Sequence, residues 1–154
     1  MKTATILIAA LVSSAAFGPS FAADPHMGTW KLNEEKSKPN PEAGKNLMVV
    51  YAEEGDKVKV TVEGVDKDGK RTRNEWIGKF DGKDYPVIGD RTSDMRAYRR
   101  IDDHTLALTV KKDGKVTLSG RSYVSAEGDM RTVTLTGTDL AGKKIVTKSV
   151  YEKL

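Results

Sequence analysis

Arginines near the middle of apparent strands are the residues of this sequence best suited to holding a ligand. Arg121 lies beside Gly120 and two residues before Tyr123, and an arginine inside a barrel could hold an acidic ligand through its planar, bidentate guanidinium. Simple alternation from Val116 and Leu118 instead turns Arg121 outward, unless a β-bulge near Gly120 changes the register. Both orientations stay open at this point, and Arg121 is the first predicted ligand-binding residue.

Arg99 is the second candidate, in a cluster of arginines around Tyr98. It is the only arginine there that shares a strand face with the apolar residues Met95, Ala97 and Ile101. We therefore expect Arg99 to face the interior. The same cluster could bind nucleic acid, but residues 23–154 carry 25 basic and 22 acidic residues, a net +3 without a broad basic stripe. We predict no nucleic-acid partner.

Aromatic residues could form the walls of a pocket. Trp76 shares a strand face with Phe80, and together they could line a site for a flat or aliphatic molecule or could be ordinary core. Tyr123, two residues from Arg121, is the second predicted wall residue.

The sequence contains little that could bind a metal ion or a cofactor. The chain has no cysteine, which excludes a disulfide scaffold, a zinc ribbon and a thiol nucleophile. His26 and His104 are isolated from each other, and Asp66 and Asp68 form only half of a calcium loop, better explained as a hairpin turn. We predict no metal and no cofactor.

Catalysis is less favoured than binding, although it is not ruled out by the residues. The serines lack a Gly-x-Ser-x-Gly context, and most acidic residues fall in turns. Glu75 and Glu152 are the mid-strand exceptions, and either could act as a base if it pointed inward.

The first 22 residues read as a signal peptide. Lys2 precedes an apolar run, and small residues end the segment at Ala22. We expect cleavage there, which leaves a single domain over residues 23–154 in the periplasm or outside the cell. No later apolar segment is long enough to span a bilayer, so stable membrane insertion is not expected. No feature of the sequence sets an oligomeric state.

The remaining chain alternates apolar and polar residues between acidic-glycine turns, which is typical of β-hairpins. The pattern predicts ten strands, over residues 29–33, 47–53, 57–63, 71–80, 85–88, 95–101, 105–111, 116–125, 131–138 and 144–153. Residues 34–46, which contain Pro39 and Pro41, are expected to form a loop across one barrel end.

An all-β, up-and-down antiparallel barrel of about eight to ten strands follows, because closing the sheet removes its two exposed edges. The inward residues are expected to be Val58, Val60, Val62, Leu106, Leu108, Val110, Val116 and Leu118.

Several segments resemble known barrels. The run from Gly28 through Trp30 to Leu32 resembles the opening of lipocalins and fatty-acid-binding proteins, which implies that Gly28 and Trp30 form a structural plug at the closed end. Val150 to Lys153 resembles the last strand of fatty-acid-binding proteins. Across the mature chain the GTWKLNEEKS and DGKDYPVIG segments resemble small secreted bacterial lipocalin-like proteins.

The resemblance implies a fold and part of a ligand site. Fatty-acid-binding proteins hold a carboxylate with an arginine and a tyrosine on the last strand; Tyr151 matches the tyrosine, while Ser149 stands at the arginine position. Tyr151 joins Arg121 and Arg99 as a predicted polar anchor. We expect an exported protein that binds a small hydrophobic or acidic ligand. The alternatives are a barrel-shaped enzyme acting on a small cyclic or aromatic metabolite, and a structural envelope protein.

Overall fold

The computed structural model describes residues 23–139 and 141–154. The expected signal peptide, residues 1–22, lies outside these described residues. Ten strands follow one another along the chain: β1 (Gly28–Lys38), β2 (Lys45–Glu54), β3 (Lys57–Val65), β4 (Arg71–Gly78), β5 (Tyr85–Ile88), β6 (Met95–Asp102), β7 (Thr105–Lys112), β8 (Lys115–Val124), β9 (Met130–Thr138) and β10 (Lys144–Lys153). Within the described ranges, no helix is long and apolar enough to cross a membrane.

Every strand pairs antiparallel with its neighbour in sequence, and β1 also pairs with β10. The sheet is therefore a closed, ten-stranded, up-and-down barrel, which confirms the predicted fold class and is consistent with a barrel of the lipocalin or fatty-acid-binding type. Closure leaves no strand edge free to pair with another chain, so the fold avoids the usual liability of an antiparallel sheet.

The two ends of the barrel differ. The closed end is the end that carries residues 23–27 and the turns after β2, β6 and β8. The open end is the opposite one, and it carries the loop after β1 and the turns after β3, β7 and β9. The turn after β7 shows why these connections are short: Asp113 has φ 51° and Gly114 has φ 78°. Two successive left-handed residues match the twist of the flanking strands.

The alternation predicted for β3 is confirmed, since Val60 and Val62 are buried. The prediction that Val116 faces inward is wrong, because this residue is 54% exposed. The register of β7 against β8 shifts between Val110 and Lys111, so that Val116 pairs with the outward Lys111 and Leu118 pairs with Val110. One extra residue in β8 thus turns Val116 to the outer face. Counting alternate residues along the sequence misses this change, because the count assumes a strand without a bulge.

Strand β1 is longer than predicted, and the loop after it is correspondingly shorter, spanning residues 39–44. The pairing of β1 with β10 is interrupted between Asn33 and Lys38. Ser37 bridges the gap, because its hydroxyl donates to the Asn33 carbonyl at 2.6 Å and accepts from the Val150 amide at 2.9 Å. A side chain that replaces lost backbone hydrogen bonds lets a strand continue past a bulge.

The interior is filled most densely towards the closed end. Trp76 lies edge-on to Tyr98, with ring centroids 4.7 Å apart, and stacks on Phe80 at 6.4 Å. Aromatic contacts of this kind add to the burial of their area. Towards the open end, by contrast, several inward apolar residues are only partly buried, namely Leu118, Val133, Leu135 and Ile145. The inward residues of the open half are therefore less completely covered than those of the closed half.

Candidate functional site

Three arginines occupy inward positions on the strands, at 96 and 100 on β6 and at 131 on β9. Residues 96 and 100 pair with the buried Val110 and Leu106 of β7, and Arg131 pairs with the buried Val124 of β8. No inward position of β3 to β10 holds an aspartate or glutamate. The charged inward positions of these eight strands are therefore cationic, whereas β2 carries Glu53 opposite the inward Val58 at the closed end. The contacts of each arginine decide whether it is free to meet a ligand.

Arg131 is fully buried. Two of its nitrogens donate hydrogen bonds within the protein, while its Nε has no partner among the described residues. Its guanidinium donates to the Ser122 hydroxyl at 2.6 Å and to the His26 carbonyl at 2.8 Å. It also lies over the rings of Tyr51 and Trp30, 4.0 and 4.6 Å from their centroids. A cation sandwiched between aromatic faces is strongly held, so Arg131 fixes the closed end and leaves little capacity for a ligand.

The segment before β1 completes the closed end. The His26 carbonyl also accepts from the Trp30 indole at 3.1 Å, and the His26 ring packs edge-on to Phe80. Burial, and then the nearby charge of Arg131, lowers the pKa of His26 from 6.5 to about 3. Neither ring nitrogen has a hydrogen-bond partner among the described residues. His26 is therefore a neutral part of the end's packing.

Arg100 is occupied as well. Its guanidinium lies 2.5 Å from the Asp24 carboxylate and 5.2 Å from the centroid of the Phe80 ring. Desolvation works to raise the pKa of Asp24, but the His26 amide and Arg100 outweigh it and hold that pKa below its ordinary value. The pair ties the residues before β1 to the barrel.

Arg96 differs from both of the other inward arginines. It is 8% exposed, lies on the open-end half of β6, and donates one side-chain hydrogen bond, to the Asn74 amide oxygen at 3.3 Å. No carboxylate of the described residues lies within ion-pair distance of it. Its backbone carbonyl is held by the Trp76 indole at 2.8 Å, so the strand that carries it is firmly placed. A guanidinium has five N–H donors, and most of those of Arg96 have no acceptor among the described residues.

Asp90, in the loop after β5, is the acidic residue whose charge Arg96 influences. Burial works to raise the pKa of Asp90, but hydrogen bonds from Ser93 and Thr92, with the Arg96 charge, keep it below its usual value. The Asp90 oxygens accept from the hydroxyls of Ser93 and Thr92 at 2.5 and 2.8 Å. Asp90 is thus turned toward its own loop, and Arg96 stays unpaired.

Three tyrosines lie in the interior of the barrel. Tyr51, Tyr98 and Tyr151 are all buried and inward. Burial raises the pKa of Tyr51, against the opposing charges of Arg131 and Arg96, and burial raises that of Tyr151 to about 12. The phenols of Tyr51 and Tyr151 stay protonated at neutral pH. The interior accordingly combines a forked cation with neutral hydroxyl groups, which suits a ligand with an anionic head and an apolar body.

The structure separates the residues predicted from sequence. Trp76 and Tyr151 are buried and inward, 0% and 3% exposed. Arg121 and Tyr123 lie on the outer face of β8, as simple alternation without a bulge at Gly120 requires. Neither residue can contact a ligand inside the barrel.

The expectation that Arg99 faces the lumen is corrected. Arg99 is exposed and pairs with Ala107, whereas its neighbour Tyr98 pairs with the buried Leu108. Tyr98 and Ala97 lie on opposite faces of β6. The face that carries the large ring of Tyr98 points into the core, and the face that carries Ala97 points outward. Arg96, one residue of the same cluster, takes the inward position.

The two candidate bases also face outward. Glu75 lies 2.9 Å from Arg73 and 3.6 Å from Lys59, and these cations lower its pKa. Glu152 accepts from Asn33 at 3.1 Å on the outside of β10. Neither carboxylate reaches the lumen. The described residues also contain no group of three or more His, Asp or Glu placed to hold a metal ion.

Gly28 and Trp30 lie at the closed end, where Trp30 is fully buried. Gly28 has φ 120°, and a Cβ there would lie 2.7 Å from the Lys153 side chain. Position 28 thus favours glycine for its backbone angle and for the close approach of β10.

Two surface depressions frame the barrel. One of about 910 Å³ lies outside the closed end, beside Asp24, His104 and the C-terminal Leu154, and is wide open to solvent. A smaller one, of about 170 Å³, lies at the open end between the loop after β1 and the β9–β10 hairpin. The inward residue Ile145 contributes to the smaller one, which places it at the mouth of the lumen. We assign the site to the lumen, because the unpaired inward arginine lies there.

Sequence reasoning missed Arg96 and Arg131. Arg131 begins a period-two series with Val133 and Leu135, all of which face inward, and that series was the available signal. Arg96 had no comparable signal, because it shares its strand face with Tyr98 and Arg100, while Met95, Ala97 and Ile101 make the opposite face the more apolar one. No known family model matches the chain, and no curated protein matches it significantly in sequence.

Proposed function

We propose that this protein is an exported, lipocalin-like barrel that binds a small lipophilic anion in the open half of its lumen. The observation that carries the proposal is Arg96, an inward arginine that is nearly buried and has one side-chain hydrogen bond, to Asn74. A buried charge without an ionic partner is unfavourable, and a carboxylate or sulfonate entering the lumen would supply that partner.

The surrounding residues support an apolar body for the ligand. Leu118 and Leu135 are inward and only partly buried, so covering them would remove apolar surface from water. The tyrosines of the interior offer hydroxyl donors to an acidic head group. The ligand is short, because aromatic side chains already fill the closed half of the barrel.

The test uses 8-anilinonaphthalene-1-sulfonate, a fluorescent apolar sulfonate, and decanoate as its competitor. The structure predicts that both bind, and that Arg96→Gln weakens them by about tenfold or more, since a charge-assisted hydrogen bond contributes about 1.5 to 3 kcal/mol. Arg73→Gln is the matched control, because Arg73 neighbours Asn74 on β4 but lies outside the barrel with Glu63 and Glu75.

The outcomes separate the possibilities. A wild-type protein that binds neither probe, or equal losses in the two variants, contradicts the proposal. Loss of binding in Arg121→Gln with none in Arg96→Gln would return the anchor to the residue first predicted from the sequence. Native mass spectrometry of protein purified gently from its own envelope should also show a co-purifying small acid.

A further inference from the structure

The outer wall formed by β7 to β10 has a composition unlike the rest of the barrel. Strands β7, β8 and β9 contain no aspartate or glutamate. The one carboxylate of β10, Glu152, lies near the closed end and is bonded to Asn33. Apart from Glu152, the charged side chains of these four strands are therefore basic.

One row of outward residues crosses this wall and continues onto β6, where Arg99 forms an isolated β-bridge with Asp81 and Asp102 pairs with Thr105. Successive strand pairings join Arg99 to Ala107, Ala107 to Arg121, Arg121 to Thr134, and Thr134 to Lys148. The three cations are exposed and stand on alternate strands. Since neighbouring strands lie about 4.8 Å apart, the cations are spaced by about 10 Å along the row. We call this row, with the hydroxyl rows beside it, the basic wall.

Hydroxyl groups flank the cations on both sides. The next row towards the open end is Thr109, Ser119 and Thr136, and the next row towards the closed end is Thr105, Tyr123 and Thr132. Tyr123 is 49% exposed and presents an aromatic ring beside Arg121 on the same strand face. The basic wall thus combines spaced cations, many hydroxyl groups and an exposed aromatic ring.

The opposite wall shows what the protein does with surface charge elsewhere. On β3 and β4, Glu63, Arg73, Glu75 and Lys59 form a continuous network of ion pairs. Within the described part of the chain, none of Arg99, Arg121 and Lys148 forms an ion pair. The charges on one wall neutralise each other, and those on the basic wall are left for an external anion.

We propose that the basic wall binds an acidic polysaccharide with carboxylate groups. Cations about 10 Å apart match acidic groups that recur once per disaccharide, hydroxyl rows match the hydroxyls of the intervening sugars, and Tyr123 offers a ring for a sugar face. A membrane surface fits less well, because the exposed apolar residues Val116 and Val146 lie two strands apart, with the threonines of β9 between them. This proposal is independent of the lumen site.

The probes are hyaluronan oligosaccharides, with one carboxylate per disaccharide, and polygalacturonate, with one per sugar; dextran is the neutral control. Binding is measured by isothermal titration calorimetry at low and physiological salt, beside vesicles of phosphatidylglycerol. The wild type should bind at least one acidic polysaccharide and not dextran, with affinity falling as salt rises.

Two double variants of equal net charge provide the decisive comparison. Arg121→Gln with Lys148→Gln should weaken polysaccharide binding by about tenfold, since two exposed ion pairs are lost. Arg73→Gln with Lys59→Gln, on the opposite wall, should change it less than about twofold. Circular dichroism checks that both variants fold.

Three results would overturn the proposal. The wild type fails to bind either acidic polysaccharide more tightly than dextran, or the two double variants lose affinity equally, which indicates a nonspecific charge effect. The third is binding to phosphatidylglycerol vesicles without binding to polysaccharide, which assigns the basic wall to a membrane surface. Binding of the lumen probes is unaffected in each case, so the two proposals fail separately.

Discussion

Acid should destabilise this barrel through His26, whose side chain is fully buried at the closed end. Burial, with the charge of Arg131 next in importance, lowers the pKa of His26 from 6.5 to about 3 in the folded protein. Arg100 and His104 act in the same direction, and Asp24 opposes them. In the unfolded chain the ring regains its ordinary pKa. The unfolded state therefore binds the extra proton between about pH 6.5 and pH 3, and the free energy of unfolding falls as the pH falls through that window.

The size of the effect follows from the two pKa values. Each pH unit inside the window costs about 1.4 kcal/mol. Between pH 7 and pH 5 the loss attributable to His26 is about 2 kcal/mol, and it approaches about 5 kcal/mol below pH 3. A domain of ordinary stability has about 5 to 15 kcal/mol in total, so this single ring should dominate its sensitivity to mild acid.

The assay is urea denaturation of the wild type and of His26→Leu at pH 7 and at pH 5. Leucine fills a similar volume and does not titrate, and it forfeits no hydrogen bond to the described residues, because the ring nitrogens make none. Carboxylates contribute to the pH dependence of both proteins and cancel in the comparison. The wild type should lose about 2 kcal/mol more than the variant.

His104→Gln is the control, since it removes the other histidine from the same end of the barrel and leaves His26 in place. This variant should keep most of the wild-type dependence on pH, because His104 is the smallest of the named influences on the pKa of His26. The reasoning is refuted if wild type and His26→Leu lose equal stability between pH 7 and pH 5, because the buried ring would then have no part in the acid response.

Three further predictions concern the packing. Arg131→Ala should lower the free energy of unfolding by about 3 kcal/mol, because it empties the space between Trp30 and Tyr51 and leaves the His26 carbonyl with one donor fewer; a urea midpoint close to the wild type would contradict this. Gly120→Ala should lower the free energy of unfolding by about 3 kcal/mol in thermal or urea denaturation, since its Cβ would lie 1.9 Å from the Thr134 carbonyl. Gly128→Ala should lower it by about 1 kcal/mol, because residue 128 has open space around it but a φ of 76°. Val116→Thr should change stability by less than about 0.5 kcal/mol because residue 116 is half exposed, and a Val60→Ala variant, at a fully buried site, should lose about 2 kcal/mol in the same titration.

Much of the strand architecture was predictable because its signals are local. Strands β5 (Tyr85–Ile88) and β10 (Lys144–Lys153) have the predicted bounds, and the acidic-glycine turns separate strands where the pattern placed them. Turn residues act through their own backbone angles, and alternation acts through neighbours two residues apart. Neither requires knowledge of what lies across the barrel.

Inward arginines were predicted from the sequence, but not the right ones. Alternation selected Arg99 because it shares a face with Met95, Ala97 and Ile101, whereas the structure turns Arg96 inward. That choice was made by the pairing of Tyr98 with Leu108. The bulge before Val116 shows the same limit, because one extra residue reverses a face without any local mark.

The amino-acid sequence by itself determined that this chain forms ten antiparallel strands with short turns, and that closing them into a barrel is the economical arrangement. Only the tertiary structure decided which arginines are enclosed and which are left without a partner. Arg131 meets Trp30 and His26 from about a hundred residues away, and Arg96 is defined by the acidic groups that do not reach it. Contacts between distant segments depend on the register around the whole barrel, and that register is set only when the last strand pairs with the first.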